Sequence, residues 1–430
     1  MASDMNGAEL GLAWAVPFAG ILLSIALFPL FAPHIWHHHF GKISVFWALC
    51  CIIPLATVFG PDTAFHEIAH VLLADYVPFI IFVGSLFIVA GGIHVRGSFV
   101  GRPIVNTAIL ALGAVIANFM GTTGAAMLLI RPLIGANENR RRKVHTFIFF
   151  IFLVANVGGA LTPLGDPPLF LGFLKGVSFF WTTTNLFVKT LFMSLALLGI
   201  YFVLDTVLFG REGRPQPPHA PDKVEEKLGL DGSINLLFLL GIVLCVLVSG
   251  MIDLGQVISI HGVGIDGQNL LRDILLLCLA GLSWKFTTRQ CRELNGFSWA
   301  PIEEVAKLFL GIFLSMIPAL AILRAGTDGA LSGVINMVFH DGEPVNYMFF
   351  WLTGSLSSVL DNAPTYLAFV NLAGGDPVAL MTEHSHTLMA ISMGSVFMGA
   401  VTYIGNAPNF MTVSIAHERG IKMPTFFGDM

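Results

Sequence analysis

Two interruptions of apolar sequence constrain this chain more than any other feature. The first is Gly159-Ala-Leu-Thr-Pro-Leu-Gly-Asp-Pro-Pro-Leu-Phe170. The second, Gly399-Ala-Val-Thr-Tyr-Ile-Gly-Asn-Ala-Pro-Asn-Phe410, starts at 399 instead of 159, an offset of 240 residues. Gly, Ala, Thr, Gly, Pro and Phe recur at matching places, and Asp166 is answered by Asn406. Each copy breaks a long apolar stretch with residues that do not continue a helix. A duplicated broken membrane helix has this signature.

Composition fixes the solvent. Of 430 residues, 55% are hydrophobic and 11% charged, about half the charged share of a soluble domain. The fold class is therefore an all-α polytopic membrane protein, with the lipid bilayer as its principal partner. The formal charge of −5 says little about the partners of a membrane protein, and no nucleic-acid partner is expected. The five cysteines lack C-x-x-C spacing and read as buried thiols. Residues 1–13 hold no Lys or Arg, so the first apolar segment is expected to be a retained span and not a cleaved signal.

The expected spans are 14–31, 43–60, 77–95, 145–172 (broken), 186–209, 231–252, 270–284, 301–323 and 385–418 (broken). Regions 104–134 and 346–373 fold around polar centres, Asn118-Phe-Met-Gly-Thr-Thr-Gly124 and Ser357-Ser-Val-Leu-Asp-Asn-Ala-Pro-Thr365. Their arms are short for a crossing, which predicts re-entrant hairpins. The polar, Pro-rich linker 211–229 divides the chain into repeats 1–210 and 230–430, each with one hairpin and one broken helix. Arg96, Arg102, Arg131 and Arg140-Arg-Arg-Lys143 flank the first hairpin, whereas Asp341, Glu343, Asp376 and Glu383 flank the second. By the positive-inside rule the hairpins enter from opposite faces, which predicts inverted repeats with the N-terminus outside and the C-terminus and linker cytoplasmic.

Asp166 follows the first break and precedes a helix expected to start at Pro167 or Pro168; the preceding helix is expected to end near Thr162. It suits an N-cap. An ionisable residue within a membrane segment nevertheless costs on the order of 3 kcal/mol, which marks it for function. Asp361, at the second hairpin tip, has the same two readings. Neutral oxygen ligands are expected from Asn118, Thr122, Thr123, Asn362, Thr365 and Asn406, with the glycines Gly165 and Gly405 opening the breaks. Asn156, placed on the helix entering the first break, is explained nearly as well by an interhelical hydrogen bond. Asp166 and Asp361 are the expected Na⁺ ligands. Protons and Na⁺ (or Li⁺) competing for these carboxylates suffice for exchange, and no Lys or Arg lies in the tips or breaks. A small carboxylate remains open as substrate, because helix N-termini and hydroxyls hold carboxylates without Arg. No enzyme activity and no cofactor are expected.

One motif points elsewhere. His66-Glu67-Ile68-Ala69-His70 fits H-E-x-x-H, and Asp361 would complete a zinc metalloprotease site. The motif precedes span 77–95, and an interfacial helix explains it equally. His37-His-His39 reads as a solvated cluster, and Glu303, Glu304 and Lys307 as a helix opening that suits its dipole.

At Gly84-Ser-Leu-Phe-Ile-Val-Ala-Gly-Gly-Ile93, Asn156-Val-Gly-Gly-Ala-Leu-Thr-Pro-Leu-Gly-Asp166, Ser357-Ser-Val-Leu-Asp-Asn-Ala-Pro364 and Gly405-Asn-Ala-Pro-Asn409 the chain resembles the ion transporter superfamily. Ser-Ser-x-x-Asp-Asn-x-Pro and Thr-Pro-x-Gly-Asp are similar to its NhaD-type sodium/proton antiporters, although Pro167-Pro168 departs from that branch. The Ser-Asn-Thr tips of the dicarboxylate branch are missing. Citrate-transporter-like proteins belong to the same superfamily, so the resemblance implies secondary transport of Na⁺ against H⁺ or cation-coupled uptake of citrate. It also implies a homodimer in the bacterial inner membrane, with a scaffold domain and a moving transport domain.

Overall fold

The computed structural model describes residues 5–97, 99–215 and 228–424. Most of the expected linker, 216–227, lies outside the described residues. Six helical stretches among the described residues are long and apolar enough to cross a membrane, and the chain is an integral membrane protein.

Helices α1 (Val16–Phe31) and α2 (Pro33–Val58) form an antiparallel pair broken at Ala32. Helix α3 (Pro61–His70) runs through a π-helical turn, Val71–Tyr76, into α4 (Val77–Ala90). Together they form one apolar stretch, Pro61–Ala90. The apolar helical stretch expected at 77–95 therefore begins earlier, and the H-E-x-x-H motif lies in α3 at its start. Pro78 does not interrupt it, because a proline in the first turn of a helical segment gives up a hydrogen bond that the wide π turn has already displaced.

Helix α5 (Pro103–Ala136) is a hairpin, not a rod. Straight, its 34 residues would reach about 50 Å. Instead the Gly101 N–H donates to the Ala136 carbonyl at 2.8 Å, and Asn106 and Asn137 exchange side-chain amide bonds at 2.9 Å. The reversal falls at Gly121, whose φ of 77° suits a residue without Cβ. Helices α6 (Val144–Leu153) and α7 (Pro167–Leu174) flank the first break. The helix entering it stops at Leu153, well short of Thr162, and Asn156 lies in the break itself with φ −140° and ψ −84°.

Helix α8 (Trp181–Arg211) carries a buried acid, Asp205. Arg140 (2.6 Å) and His145 (2.9 Å) meet its Oδ1, and Asn106 and Tyr201 (both 3.2 Å) donate to its Oδ2. The cluster fastens the base of the first hairpin to α8. Helices α9 (Ile234–Ser249) and α10 (Gly267–Phe286) pack on each other and on α4. The short α11 (Arg289–Leu294) precedes α12 (Ala300–Arg324), which lies against α2 and stacks Phe309 on Phe79 of α4 at 4.7 Å.

After α13 (Ser332–Val338), α14 (Asn346–Val359) and α15 (Asn362–Leu372) form the second hairpin, its arms facing through Phe349 and Phe369 at 6.3 Å. The short α16 (Pro377–Met381) follows. Helices α17 (Ser385–Met398) and α18 (Ala407–Glu418) then flank the second break.

Candidate functional site

Each break lies against the reversal of the hairpin in its own half, and the contacts recur at the sequence offset. Thr122 N–H donates to the Gly165 carbonyl at 2.8 Å, and Asn362 N–H to the Gly405 carbonyl at 3.2 Å. Thr162 Oγ1 donates to the Asn118 carbonyl at 2.6 Å, and Thr402 Oγ1 to the Ser358 carbonyl at 2.5 Å. Close approach requires the glycines. A Cβ on Gly165 would lie 2.1 Å from the Gly159 carbonyl oxygen, and one on Gly405 2.6 Å from the Gly399 oxygen.

Asp166 occupies the centre of this arrangement and is 1% exposed. It holds the N-cap position of α7 without a side-chain capping bond. Its carboxylate faces the other half of the chain instead. Oδ1 accepts from Thr122 Oγ1 and from Asn406 Nδ2, both at 3.1 Å, and Oδ2 accepts from Asn362 Nδ2 at 2.7 Å. The donors come from the first hairpin, the second hairpin and the second break. Among the described residues no basic side chain pairs with it. Asn362 Oδ1 is buried beside it with no hydrogen-bond partner.

Asn156 locks the two breaks together. Its Nδ2 donates to Asn409 Oδ1 at 2.7 Å, and its Oδ1 accepts from Asn406 Nδ2 at 3.2 Å. Asn409 in turn donates to the Gly399 and Thr402 carbonyls. Asn118 has a positioning role: its Oδ1 accepts from the Leu161 N–H at 3.0 Å. Thr365 Oγ1 donates to the Asp361 carbonyl at 2.9 Å, so it braces α15 and does not reach the Asp166 carboxylate.

Asp361 has the cap position expected of it and also borders open space. It caps α15 by accepting the Ala363 N–H at 3.0 Å, and it lines a cavity of about 400 Å³. Thr123 and Asn406 open on the same cavity, as do Glu304, Glu418 and Arg131. Arg131 lies outside the tips and breaks, yet it borders this cavity. Near the end of the second arm of α5, it packs against Gly296, and its Nη1 is buried with no hydrogen-bond partner. Glu304 likewise does more than suit a helix dipole, while Glu303 pairs with Lys307 on the surface. His37 lies near the mouth, its ring 6.3 Å from that of Phe410.

The H-E-x-x-H motif does not assemble a metal site. Among the described residues no three His, Cys, Asp or Glu side chains are grouped to hold a metal ion, so Asp361 does not join His66 and His70. His66 Nδ1 is engaged by the His261 carbonyl at 2.9 Å.

Comparison with known families decides the class. A family model described as "Putative citrate transport" matches residues 7–430. The chain belongs to this family. No curated protein matches it. Membership of a transport family accords with polar groups converging between two helix breaks inside an apolar bundle, where non-helical backbone is tolerated only when buried in protein or lining a wet cavity. The α5 hairpin, the two breaks and the cavity are thus parts of a citrate-transport family protein.

Proposed function

We propose that the protein is a secondary transporter that moves a small carboxylate of the citrate class through the 400 Å³ cavity, coupled to a cation or proton held at Asp166. The observation that carries this is the Arg131 guanidinium, which lines the cavity with one buried nitrogen unpaired. A guanidinium matches a carboxylate in charge and planar geometry. Asp361, Glu304 and Glu418 on the same walls repel an anion that arrives alone. Co-bound cations or protons offset that repulsion, which gives the coupling a physical reason. A buried carboxylate without a basic partner is costly until it takes up a proton or a cation. Asp166, beside the free Asn362 oxygen, is the group to do so.

The two halves act as inverted repeats whose re-entrant hairpins enter from opposite faces of a bacterial inner membrane. The recurring contacts at the breaks and the distribution of Arg and Lys favour this arrangement. On that topology the cavity opens to the cytoplasm, the N-terminus is outside, and the working unit is a homodimer.

Na⁺(or Li⁺)/H⁺ exchange through Asp166 and Asp361 is the second reading, favoured by the carboxylate and amide oxygens gathered at Asp166 and Asn362. Reconstituted vesicles separate the two. Labelled citrate is expected to accumulate under an imposed proton or Na⁺ gradient, and Arg131→Gln to raise its KM about tenfold through loss of one charge-assisted contact. Proton movement driven by Na⁺ with no citrate uptake under either gradient would leave exchange standing and end the carboxylate reading.

A further inference from the structure

The two copies of the broken helix have different surroundings. On α7, Phe170 is 0% exposed and stacks on Phe82 of α4 with ring centroids 3.6 Å apart and planes at 13°. The Arg272 guanidinium of α10 lies 6.0 Å from the centre of the same ring. Just past the C-terminus of α7, Lys175 Nζ meets Asp75 Oδ1 at 2.6 Å. On α18 the equivalent Phe410 is 36% exposed and borders the cavity. One broken helix is clamped to its neighbours while its counterpart faces α12 across the cavity.

The ion pair and the cavity are displaced along the continuous helix Pro61–Ala90. That helix gives Val83 and Phe87 to the cavity, and Asp75 precedes Val83 by about 12 Å of helix rise. Lys175 lies a comparable distance beyond Asp166 along α7, about 14 Å. Asp75 is itself anomalous: a buried acid within the apolar stretch Pro61–Ala90, in its π-helical turn. An acid there is retained only with a partner, and the partner belongs to the broken helix.

We propose that the Asp75–Lys175 ion pair is a latch. It fastens α7 to the π turn on the side away from the cavity, and it opens when the Asp166 site becomes accessible from that side. The proposal draws on the transport reading only in requiring two accessibility states, and its test uses no substrate.

The test is thiol accessibility in the full chain with its native cysteines replaced by serine, reconstituted in vesicles. In one version Phe410→Cys reports on the cavity side; in another Phe170→Cys reports on the opposite side. An impermeant maleimide is applied to each face in turn. Lys175→Gln is expected to slow labelling at 410 and speed labelling at 170, each about tenfold, as the latched population falls. The swap of Asp75→Lys with Lys175→Asp should return both rates toward the parent values. Unchanged rates at both positions in folded Lys175→Gln protein overturn the latch. Where Lys175→Gln does not fold, Asp75→Cys with Lys175→Cys, joined by a reducible bis-thiol reagent, replaces it. Joined, it should protect position 170 from the maleimide until reduced; labelling at 170 that joining leaves unchanged overturns the proposal. If no citrate is transported but the accessibility shifts appear, the substrate assignment fails and the latch stands.

Discussion

Asp166→Asn is expected to cut gradient-driven transport by at least about 100-fold while the protein stays folded, as follows from losing about 3 kcal/mol of charge-assisted interaction. The fold tolerates the change because of Asn362. Asp166 presents two acceptor oxygens to three donors, and an amide in its place offers one oxygen and one NH₂. Asn362 Oδ1 has no partner, so turning the Asn362 amide lets it accept from the new NH₂. Packing and hydrogen bonds then survive, and the charge alone is gone. Initial rates of citrate uptake and of Na⁺-driven proton movement in vesicles, measured beside the unfolding temperature, check this. Folded variant protein that transports within about threefold of the parent, well inside the loss expected from one such contact, would remove Asp166 from the coupling site.

Gly165→Ala has the largest expected effect on stability. Its Cβ would lie 2.1 Å from the Gly159 carbonyl oxygen, and the obstacle is backbone. Gly159 cannot withdraw freely, because its own Cβ position lies 2.6 Å from Thr122 Cγ2. The break would have to separate from the hairpin, which loses the Thr122 N–H to Gly165 bond and displaces Asp166. A cost of at least about 4 kcal/mol belongs to this kind of backbone collision. It should appear as little monodisperse protein and a sharply lowered unfolding temperature in detergent. Gly405→Ala, at 2.6 Å from carbonyl oxygens, should follow with a smaller loss. Gly281→Ala is the control, since no heavy atom lies within 4 Å of its Cβ position. A Gly165→Ala protein that unfolds with the parent would show that the two backbones do not need this approach.

What could be read in the sequence is what has local causes. Gly, Pro and Asp break helices through their own stereochemistry, so both breaks and both hairpin reversals were visible as interruptions of apolar runs. Asp166, Thr122, Asn362 and Asn406 stood out because polar residues are rare there, and the structure brings these four together. The early end of α6 had no such mark. Val154 and Ala155 favour continuation, and the helix ends where Asn156 reaches Asn409, 253 residues away. Arg131 was legible as a flanking positive charge, but only the folding back of α5 turns it toward the cavity. Asp75 carries no local mark in the sequence, because its partner, Lys175, is met only through a tertiary contact. Asp205 carries no mark inside its apolar segment for the same reason: Arg140 and His145 reach it from the loop and helix after the hairpin.

The 3.1 Å contact between Asp166 Oδ1 and Asn406 Nδ2 joins positions that correspond under the internal duplication. An assembly of two identical half-length chains would place the same residue at both. Two aspartates there would set like charges against each other, and two asparagines would leave no charge at all. Covalent fusion lets the paired positions diverge. The resulting heteropair joins a charged acceptor to a neutral donor, a combination that strict two-fold symmetry denies to any self-paired residue. Joining the halves in one chain is therefore what allows one ionisable group to face one neutral amide where the two breaks meet.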